Sequence, residues 1–425
     1  MLPRIALLVA GIALIWGRGG GHLRAESVRQ VVRVWCHQGQ EAENEAMRAI
    51  AAAFNTAHAA EGVAVELTFF PDFQFTEKIA IAAAARDLPD VFDIDGPLVA
   101  RYVAAGLLVP LDPWIGPDDR ADFLPTILQQ GTIGGRLYAL GAFDSAAVLY
   151  YDRAMLARAG VRPPAGDGGW TWNEFVDACR RLRDAGFEPV ALHMNESADE
   201  WFTYAFSPVV WSGGGALIGP DGRTVRGVLA SPENIRSLTA WRDLFRAGHA
   251  ATDPVNPDPF GSGAVAMDWY GHWMARSHLA KKGDKLGAMP LPRVGPQAAA
   301  PCGSWCWGIS ARARNPGLAA RWVRWVTDTT HGVVPMVRAN GAVPARRSAF
   351  AAFPEYSETP YRLFREQIDG GARPRPRTPF YAALTRGFAS ALRDIARGAD
   401  VATRLRMAET EIQQVIDRRT EGAAP

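Results

Sequence analysis

Strand and helix patterns alternate from residue 31 to residue 95, and this alternation restricts the fold more than any other feature of the sequence. The predicted elements are, in order, a strand at 31–35, a helix at 41–55, a strand at 63–69, a helix through Ile79 and a strand at 89–95. Such a βαβαβ order predicts an α/β fold with a largely parallel sheet covered by helices. Ligands of these sheets bind beyond the carboxyl ends of the strands, which directs attention to the residues after Trp35 and around Asp95.

Length and composition narrow the class of protein further. At 425 residues the chain is too long for one ordinary core, so two lobes are expected. The 46 basic and 44 acidic side chains nearly balance and are scattered, which argues against nucleic acid as a partner. The 14 tryptophans are the unusual feature, because an indole can cover the apolar face of a sugar ring while its N–H donates a hydrogen bond.

The N-terminus has the pattern of an export signal. Arg4 precedes an apolar run over residues 5–16 and a Gly-rich segment that ends at Ala25. The run is shorter than the roughly 20 apolar residues that a membrane span needs. No cysteine precedes Cys36, so lipid attachment is not expected. We therefore predict a signal peptide at 1–25, cleaved near Ala25, and a periplasmic or otherwise extracytoplasmic protein.

The four cysteines leave bridging open, and catalytic motifs are absent. Cys36 could pair with Cys302 or Cys306 in an oxidising compartment, whereas the last two lie too far apart along a strand to bond each other. A zinc site using His37 lacks any recurring ligand spacing. No nucleophile elbow, phosphate loop or zinc-protease motif occurs, although Asp93 and Asp95 could in principle serve as paired carboxylates of a glycosidase.

Local signals are densest between residues 134 and 186. Gly134-Gly135 suits a two-residue hairpin turn, and the following apolar segment predicts a buried strand over 148–151. Asp152 is placed to cap a helix that ends at Gly160. Thr171-Trp-Asn-Glu174 has the spacing of a capping box.

These segments, in this order, resemble a known family. The motifs that carry the resemblance are Gly135-Arg-Leu-Tyr-Ala-Leu with Leu149-Tyr-Tyr-Asp152, Asp90-Val-Phe-Asp-Ile-Asp95, Ala266-Met-Asp-Trp-Tyr-Gly-His-Trp273, Gly303-Ser-Trp-Cys-Trp-Gly-Ile-Ser310, Gly341-Ala-Val-Pro-Ala-Arg346 and Pro379-Phe-Tyr381. The sequence is similar to the extracellular solute-binding proteins of carbohydrate ABC importers, the group of the maltose-, trehalose- and glycerol-3-phosphate-binding proteins. His272 stands where that family has proline.

The resemblance implies a fold and a function. The fold is the two-lobed periplasmic-binding-protein fold of type II, with an N-lobe at 28–143 and 309–355, a C-lobe at 144–308 and 356–420, and crossings near residues 143, 306 and 357. The expected function is capture of a mono-, di- or oligosaccharide in the cleft by hinge closure, without enzymatic chemistry or a cofactor. Partners would be the carbohydrate and the membrane permease subunits of an importer, with the chain acting as a monomer. The alternatives are glycerol 3-phosphate or a glycerophosphodiester as ligand and, from another class, an exported glycosidase.

The expected ligand-binding residues come from both lobes and the hinge. They are His37, Gln38, Asp95, Asp144, Ser145, Trp201, Trp273, Gly303, Ser304, Trp305, Arg377 and Tyr381. By resemblance, Trp273 is the aromatic platform under a sugar ring and Asp95 is the N-lobe carboxylate. Ser145 competes with Asp144 for the hinge position, and Arg375 replaces Arg377 if the register differs by two residues. His37 and Gln38 are included because they come directly after the first strand, whose carboxyl end is expected to lie at the cleft.

Overall fold

The computed structural model describes residues 30–164 and 168–421. The predicted signal peptide at 1–25 lies outside these residues. The α-helices that begin before residue 200 are, in chain order, Glu41–Ala57, Asp72–Ala85, Val99–Ala104, Pro117–Asp122, Pro125–Gly131, Arg153–Arg158, Trp172–Asp184 and Asp199–Ser212. The later α-helices are Pro232–Arg246, Ala275–Lys282, Pro316–Val326, Val334–Asn340, Tyr361–Asp369, Tyr381–Ala396 and Val401–Glu421.

A five-stranded sheet forms the first half of the molecule. Its strands lie in the order Val63–Pro71, Gln30–Gln38, Val91–Asp95, Trp305–Ile309 and Ala139–Gly141. The first three are parallel, and the last two run antiparallel to their neighbours. The predicted βαβαβ order and parallel pairing are therefore confirmed. The helix Glu41–Ala57 covers one face and buries Met47, Ile50, Ala51 and Phe54, as its spacing predicted.

A four-stranded sheet forms the second half. Its strands lie in the order Leu286–Met289, Ala147–Asp152, Val265–Gly271 and Glu188–Ala191. Val265–Gly271 and Glu188–Ala191 are parallel, so their carboxyl ends meet at one edge of the sheet. The helix Asp199–Ser212 packs on this sheet, and the Trp269 indole donates a hydrogen bond of 3.0 Å to the Ala205 carbonyl oxygen.

The local signals of the sequence have the expected structural counterparts. Gly134 and Gly135 adopt φ of 57° and 79° between the short strands Thr132–Ile133 and Arg136–Leu137, a conformation that favours glycine. The Asp152 carboxylate accepts hydrogen bonds from the backbone N–H groups of Ala154 and Met155. Thr171 and Glu174 form the predicted capping box.

Between Ala139 and Ile309 the chain crosses twice between the two sheets, and the crossing expected near residue 357 stays a prediction. The first crossing, at Phe143–Asp144, pairs with Val343–Pro344, so that the outgoing chain and a later segment run side by side. The second lies between Met289 and Trp305. Because Trp305–Ile309 pairs with Val91–Asp95, residues 305–308 belong to the five-stranded sheet, which corrects the expected lobe boundary at 308. The remaining lobe boundaries stay a prediction.

The described residues include all four cysteines and every helix that was compared with a membrane span. Cys36, Cys179, Cys302 and Cys306 are all buried free thiols, so the proposed pairing of Cys36 with Cys302 or Cys306 is wrong. Among residues 30–164 and 168–421, none of the helices is both long and apolar enough to span a bilayer.

We predict that His272 makes the fold acid-sensitive. Burial lowers the pKa of His272 to about 3, well below the ordinary 6.5, so the folded protein holds this imidazole neutral. Its contribution to stability is complete above pH 6.5 and declines as the pH falls toward 3. Lowering the pH from 7.5 to 5 should therefore cost about 2 kcal/mol through this residue. Urea unfolding of wild type and His272→Leu at both pH values measures the difference, and an identical pH dependence in the two proteins would contradict the prediction.

Candidate functional site

A buried arginine joins the two halves of the molecule at the edge where the strands end. Arg375 donates two hydrogen bonds to the Asp95 carboxylate, from Nη2 to Oδ1 at 2.7 Å and from Nη1 to Oδ2 at 3.0 Å. Asp95 ends a strand of the five-stranded sheet, as the rule for parallel sheets predicts. Nη1 of Arg375 also donates to Glu200, in the first turn of the helix that packs on the four-stranded sheet.

The carboxylates of this network are held in low-dielectric surroundings. Burial raises the pKa of Glu200 to about 7, against the lowering effect of Arg375. Tyr381, which is fully buried, donates its hydroxyl to Glu200 at 2.5 Å and so positions the carboxylate. The Arg375 guanidinium lies 5.4 Å from the centre of the Tyr204 ring, in a cation–π arrangement.

His37 and Trp305 form the wall of the site on the five-stranded sheet. Their rings stack with centroids 3.7 Å apart and planes 7° from parallel. The His37 Nδ1 lies 2.6 Å from Oδ2 of Asp93, whose Oδ1 accepts the His37 backbone N–H. Gln38 is exposed at the end of the same strand. Asp93 and Asp95 therefore serve different partners and do not form a pair of free carboxylates.

Aromatic side chains also cluster at the edge of the four-stranded sheet and form a second wall. Trp201 lies with its ring centroid 4.7 Å from that of Tyr270 and 6.4 Å from that of Trp273. Trp273 is half-buried, and its ring passes so close to Gly271 that a Cβ there would lie 2.2 Å from ring atoms. The glycine two residues before the tryptophan is thus required by the ring position.

A chain of three polar side chains supports this aromatic wall from behind. Nε2 of His193 lies 2.5 Å from Oδ1 of Asp268, and Nε2 of His278 lies 2.9 Å from Oδ2 of the same carboxylate. Burial alone would raise the pKa of Asp268, but the hydrogen bonds from the two histidines lower it overall. The His193 ring lies against Tyr270, with centroids 4.0 Å apart.

The hinge residues that were expected to contact ligand form hydrogen bonds to other groups of the protein. Asp144 is fully buried and accepts hydrogen bonds from the backbone N–H groups of Ser145 and Gly303 at 2.8 and 2.9 Å. The Ser145 hydroxyl lies 2.9 Å from the Tyr204 hydroxyl and also donates to the Gly303 carbonyl oxygen. Ser304 donates its hydroxyl to Phe143 O, across the two crossings. These contacts correct the expectation of ligand-binding roles for Asp144, Ser145, Gly303 and Ser304, because they tie the first crossing to the second.

The structure also decides between the two candidate arginines. Arg377 is exposed and donates to the carbonyl oxygens of Gln129 and Thr132, on the side of a surface groove of about 430 Å³. Arg375, the alternative by two residues, occupies the centre of the site. Gly303 permits this approach, since its Cβ would lie 2.9 Å from Nη2 of Arg375. The geometry therefore favours Arg375 as the arginine of the site, and a ligand-binding role for Arg377 stays a prediction.

Five residues of the site were not predicted from the sequence. They are His193, Glu196, Glu200, Tyr204 and Tyr270. Tyr270 stands within the Ala266–Trp273 motif and Glu200 directly precedes Trp201, so proximity to predicted residues was an available signal. His193 carries no comparable signal, because its role depends on Asp268, 75 residues later. Within the described part of the chain, no cluster of His, Cys, Asp and Glu is arranged to hold a metal ion.

The comparison with protein families gives one extended match. The model described as bacterial extracellular solute-binding protein matches residues 38–331, more than half of the chain. A probable ABC transporter-binding protein of Deinococcus radiodurans is 26% identical over 58% of this chain and 60% of its own length. The maltotriose-binding protein of Pyrococcus abyssi is 23% identical over 82% of this chain and 75% of its own length. Against the first relatives the chain spans 60% of the Deinococcus protein and 44% of putative binding proteins of Brucella.

Solved structures share the fold over nearly the whole chain. The GacH receptor of Streptomyces glaucescens, solved without ligand and with acarbose, has a TM-score of 0.76 at 23% identity, over 91% of this chain and 97% of that chain. The sugar-binding protein MalE of Xanthomonas citri has a TM-score of 0.79 at 17% identity, over 92% and 98%. UgpB of Mycobacterium tuberculosis, solved with glycerophosphocholine, has a TM-score of 0.77 at 22% identity, over 92% and 99%. The expected periplasmic-binding-protein fold is confirmed.

We predict that Arg375 is needed for stability and Arg377 is not. Arg375→Ala leaves the Asp95 and Glu200 carboxylates buried without a cation, which should lower the free energy of unfolding by roughly 3 kcal/mol at pH 8. The loss should shrink at pH 5, since protonation of Glu200 removes one of the two charges. Arg377→Ala, the matched control, should cost less than about 1 kcal/mol because its contacts are exposed. Urea unfolding of both variants at both pH values decides, and equal losses would contradict the assignment.

Proposed function

The chain belongs to the bacterial extracellular solute-binding protein family, and we propose that it captures a carbohydrate between its two halves for an ABC importer. The observation that carries the proposal is that Arg375 links two clusters of aromatic rings. Trp273 lies with its ring centroid 5.8 Å from that of Tyr204, whose ring centre lies 5.4 Å from the Arg375 guanidinium. Arg375 in turn binds Asp95, the strand partner of Trp305. Flat apolar rings suit the faces of pyranose rings, and the carboxylates beside them suit hydroxyl groups.

The charges of the site favour a neutral ligand over a phosphorylated one. Arg375 is the cation at the centre, and it already serves two carboxylates, Asp95 and Glu200. A phosphate would have to displace one of these partners and would then meet the uncompensated negative charge. A glycerol phosphate or glycerophosphodiester therefore remains the less supported alternative.

The proposed mechanism is a closure equilibrium. A ligand that touches both walls makes all of its contacts only when the walls approach, so binding shifts the population toward the closed form. The hinge strands stay connected through Asp144 and Ser304. No chemical step on the sugar is involved, which distinguishes the proposal from that of an exported glycosidase. The permease subunits of the importer would recognise the closed form, and the family assignment places the protein outside the cytoplasm.

We predict that Trp273→Ala abolishes measurable sugar binding. Loss of a desolvated aromatic anchor costs roughly 2 to 4 kcal/mol, at least a tenfold loss of affinity. Trp325→Ala is the matched control, since Trp325 is half-buried on the helix Pro316–Val326, away from the site. Calorimetric titration with maltotriose, raffinose and arabinotriose measures the affinities. Unchanged affinity in Trp273→Ala would falsify the platform role, and hydrolysis of any probe would favour the glycosidase.

We also expect closure to be visible in solution. Small-angle X-ray scattering of the protein with and without a saturating concentration of the bound sugar should give a smaller radius of gyration for the complex. A radius that does not change would argue against movement of the two halves.

A further inference from the structure

His193, which contacts the Asp268 carboxylate and the Tyr270 ring, lies at the edge of the second wall. It follows the strand Glu188–Ala191, whose carboxyl end lies beside that of Val265–Gly271 and hence beside Trp273. Its backbone has φ of 49°, a region that residues other than glycine rarely adopt. Such backbone strain persists where the surroundings hold it, and here the Asp268 hydrogen bond and the Tyr270 ring contact hold the imidazole.

Asp268 determines which nitrogen of His193 carries the proton. The ionised carboxylate can only accept hydrogen bonds, and its two oxygens face His193 and His278. Nε2 is therefore the nitrogen of His193 that carries the proton donated to Asp268, and in the tautomer with a single N–H this leaves a lone pair on Nδ1. The same geometry makes Nδ1 a hydrogen-bond acceptor.

Nδ1 of His193 differs from the Nδ1 atoms of His272 and His278. The Nδ1 atoms of His272 and His278 are buried without a partner, but Nδ1 of His193 is not enclosed in this way, and the side chain keeps 12% exposure. The neighbouring group is a second acceptor, because Oε1 of Glu196 accepts the Tyr270 hydroxyl at 2.8 Å and the carboxylate is only partly buried. This corner of the wall thus presents acceptors beside aromatic rings.

We propose that His193 is a ligand-binding residue whose Nδ1 accepts a hydrogen bond from a hydroxyl group of the captured sugar. The inference rests on the proposed function and narrows its ligand class. A corner lined by the His193 and Glu196 acceptors binds groups that donate, so the ligand enters it with an unmodified polyol end. Phosphate and carboxylate groups, which only accept, are excluded from it.

Two substitutions of His193 separate ligand contact from structural support. The amide nitrogen of Gln reaches the position of Nε2, so His193→Gln keeps the bond to Asp268 and loses the acceptor at Nδ1. Asn places its carbonyl oxygen near the position of Nδ1 and tolerates the left-handed backbone, so His193→Asn keeps an acceptor and loses the bond to Asp268. If His193 contacts the ligand, His193→Gln should bind sugar more weakly than His193→Asn. If His193 only supports the wall, His193→Asn should be the weaker binder.

The experiment is calorimetric titration of the wild type and both variants with maltotriose, raffinose, arabinotriose and glycerophosphocholine. We expect at least tenfold weaker binding of the recognised sugar by His193→Gln and a smaller loss by His193→Asn. His331→Gln is the matched control, because His331 pairs with Asp328 at the surface and should leave affinity unchanged. Thermal unfolding of each variant reports on the fold, and nitrogen-15 NMR of the imidazoles should show Nε2 of His193 protonated in the free wild type.

The outcomes distinguish the two proposals. Sugar binding that is equal in wild type and His193→Gln, or weaker in His193→Asn than in His193→Gln, overturns the role of His193 and leaves carbohydrate capture intact. Binding of glycerophosphocholine with none of the three sugars bound contradicts the proposed carbohydrate function. The glycerol end of this ligand also carries free hydroxyl groups, so the role of His193 is then decided by the same comparison of His193→Gln with His193→Asn. A protonated Nδ1 in the NMR spectrum overturns the acceptor assignment on its own.

Discussion

The ion pairs of Arg375 with Asp95 and Glu200 are the interaction on which the rest of the site depends. The guanidinium is planar and makes a two-pronged bond to Asp95, and it links that strand end to the helix that carries Glu200. Two neighbouring residues are suited to the position of this guanidinium. Gly303 must lack a side chain where the guanidinium passes, and Tyr381 is buried where it can hold Glu200 in place. Because one cation is shared by two carboxylates, the centre has an excess of hydrogen-bond acceptors.

The walls on either side of this centre are held rigid by the same kind of contact. On the five-stranded sheet, His37 is held between the Asp93 carboxylate and the Trp305 ring. On the four-stranded sheet, Asp268 plays the equivalent part for His193, and His278 completes the pairing of its second oxygen. Each wall therefore carries an imidazole fixed by a buried aspartate beside aromatic rings. A fixed donor or acceptor loses little entropy when a ligand binds, which suits a protein proposed to select one sugar among many.

The hinge also contains a buried aspartate, but its carboxylate binds backbone N–H groups rather than an imidazole. Asp144 is satisfied by backbone N–H groups of both crossings and offers nothing to a ligand. Its burial raises its pKa, and the hydrogen bonds that it accepts oppose this. A carboxylate at such a place holds the two crossing segments together.

The sequence by itself determined the elements and their class. Periodicity gave the parallel strands and covering helices, and short-range chemistry gave the Gly134-Gly135 turn and the caps at Asp152 and Thr171, because these features depend on residues a few positions apart. The motifs also identified Asp95, Trp201, Trp273 and Trp305 as residues near the strand ends. Only the tertiary structure decided that Arg375 rather than Arg377 enters the site, that Asp144 is consumed by the hinge, and that the cysteines stay unpaired. The position of Arg375 depends on Asp95 and Glu200, 280 and 175 residues away, and that of Asp144 depends on Gly303, 159 residues away. Local sequence patterns carry no information about partners at these separations.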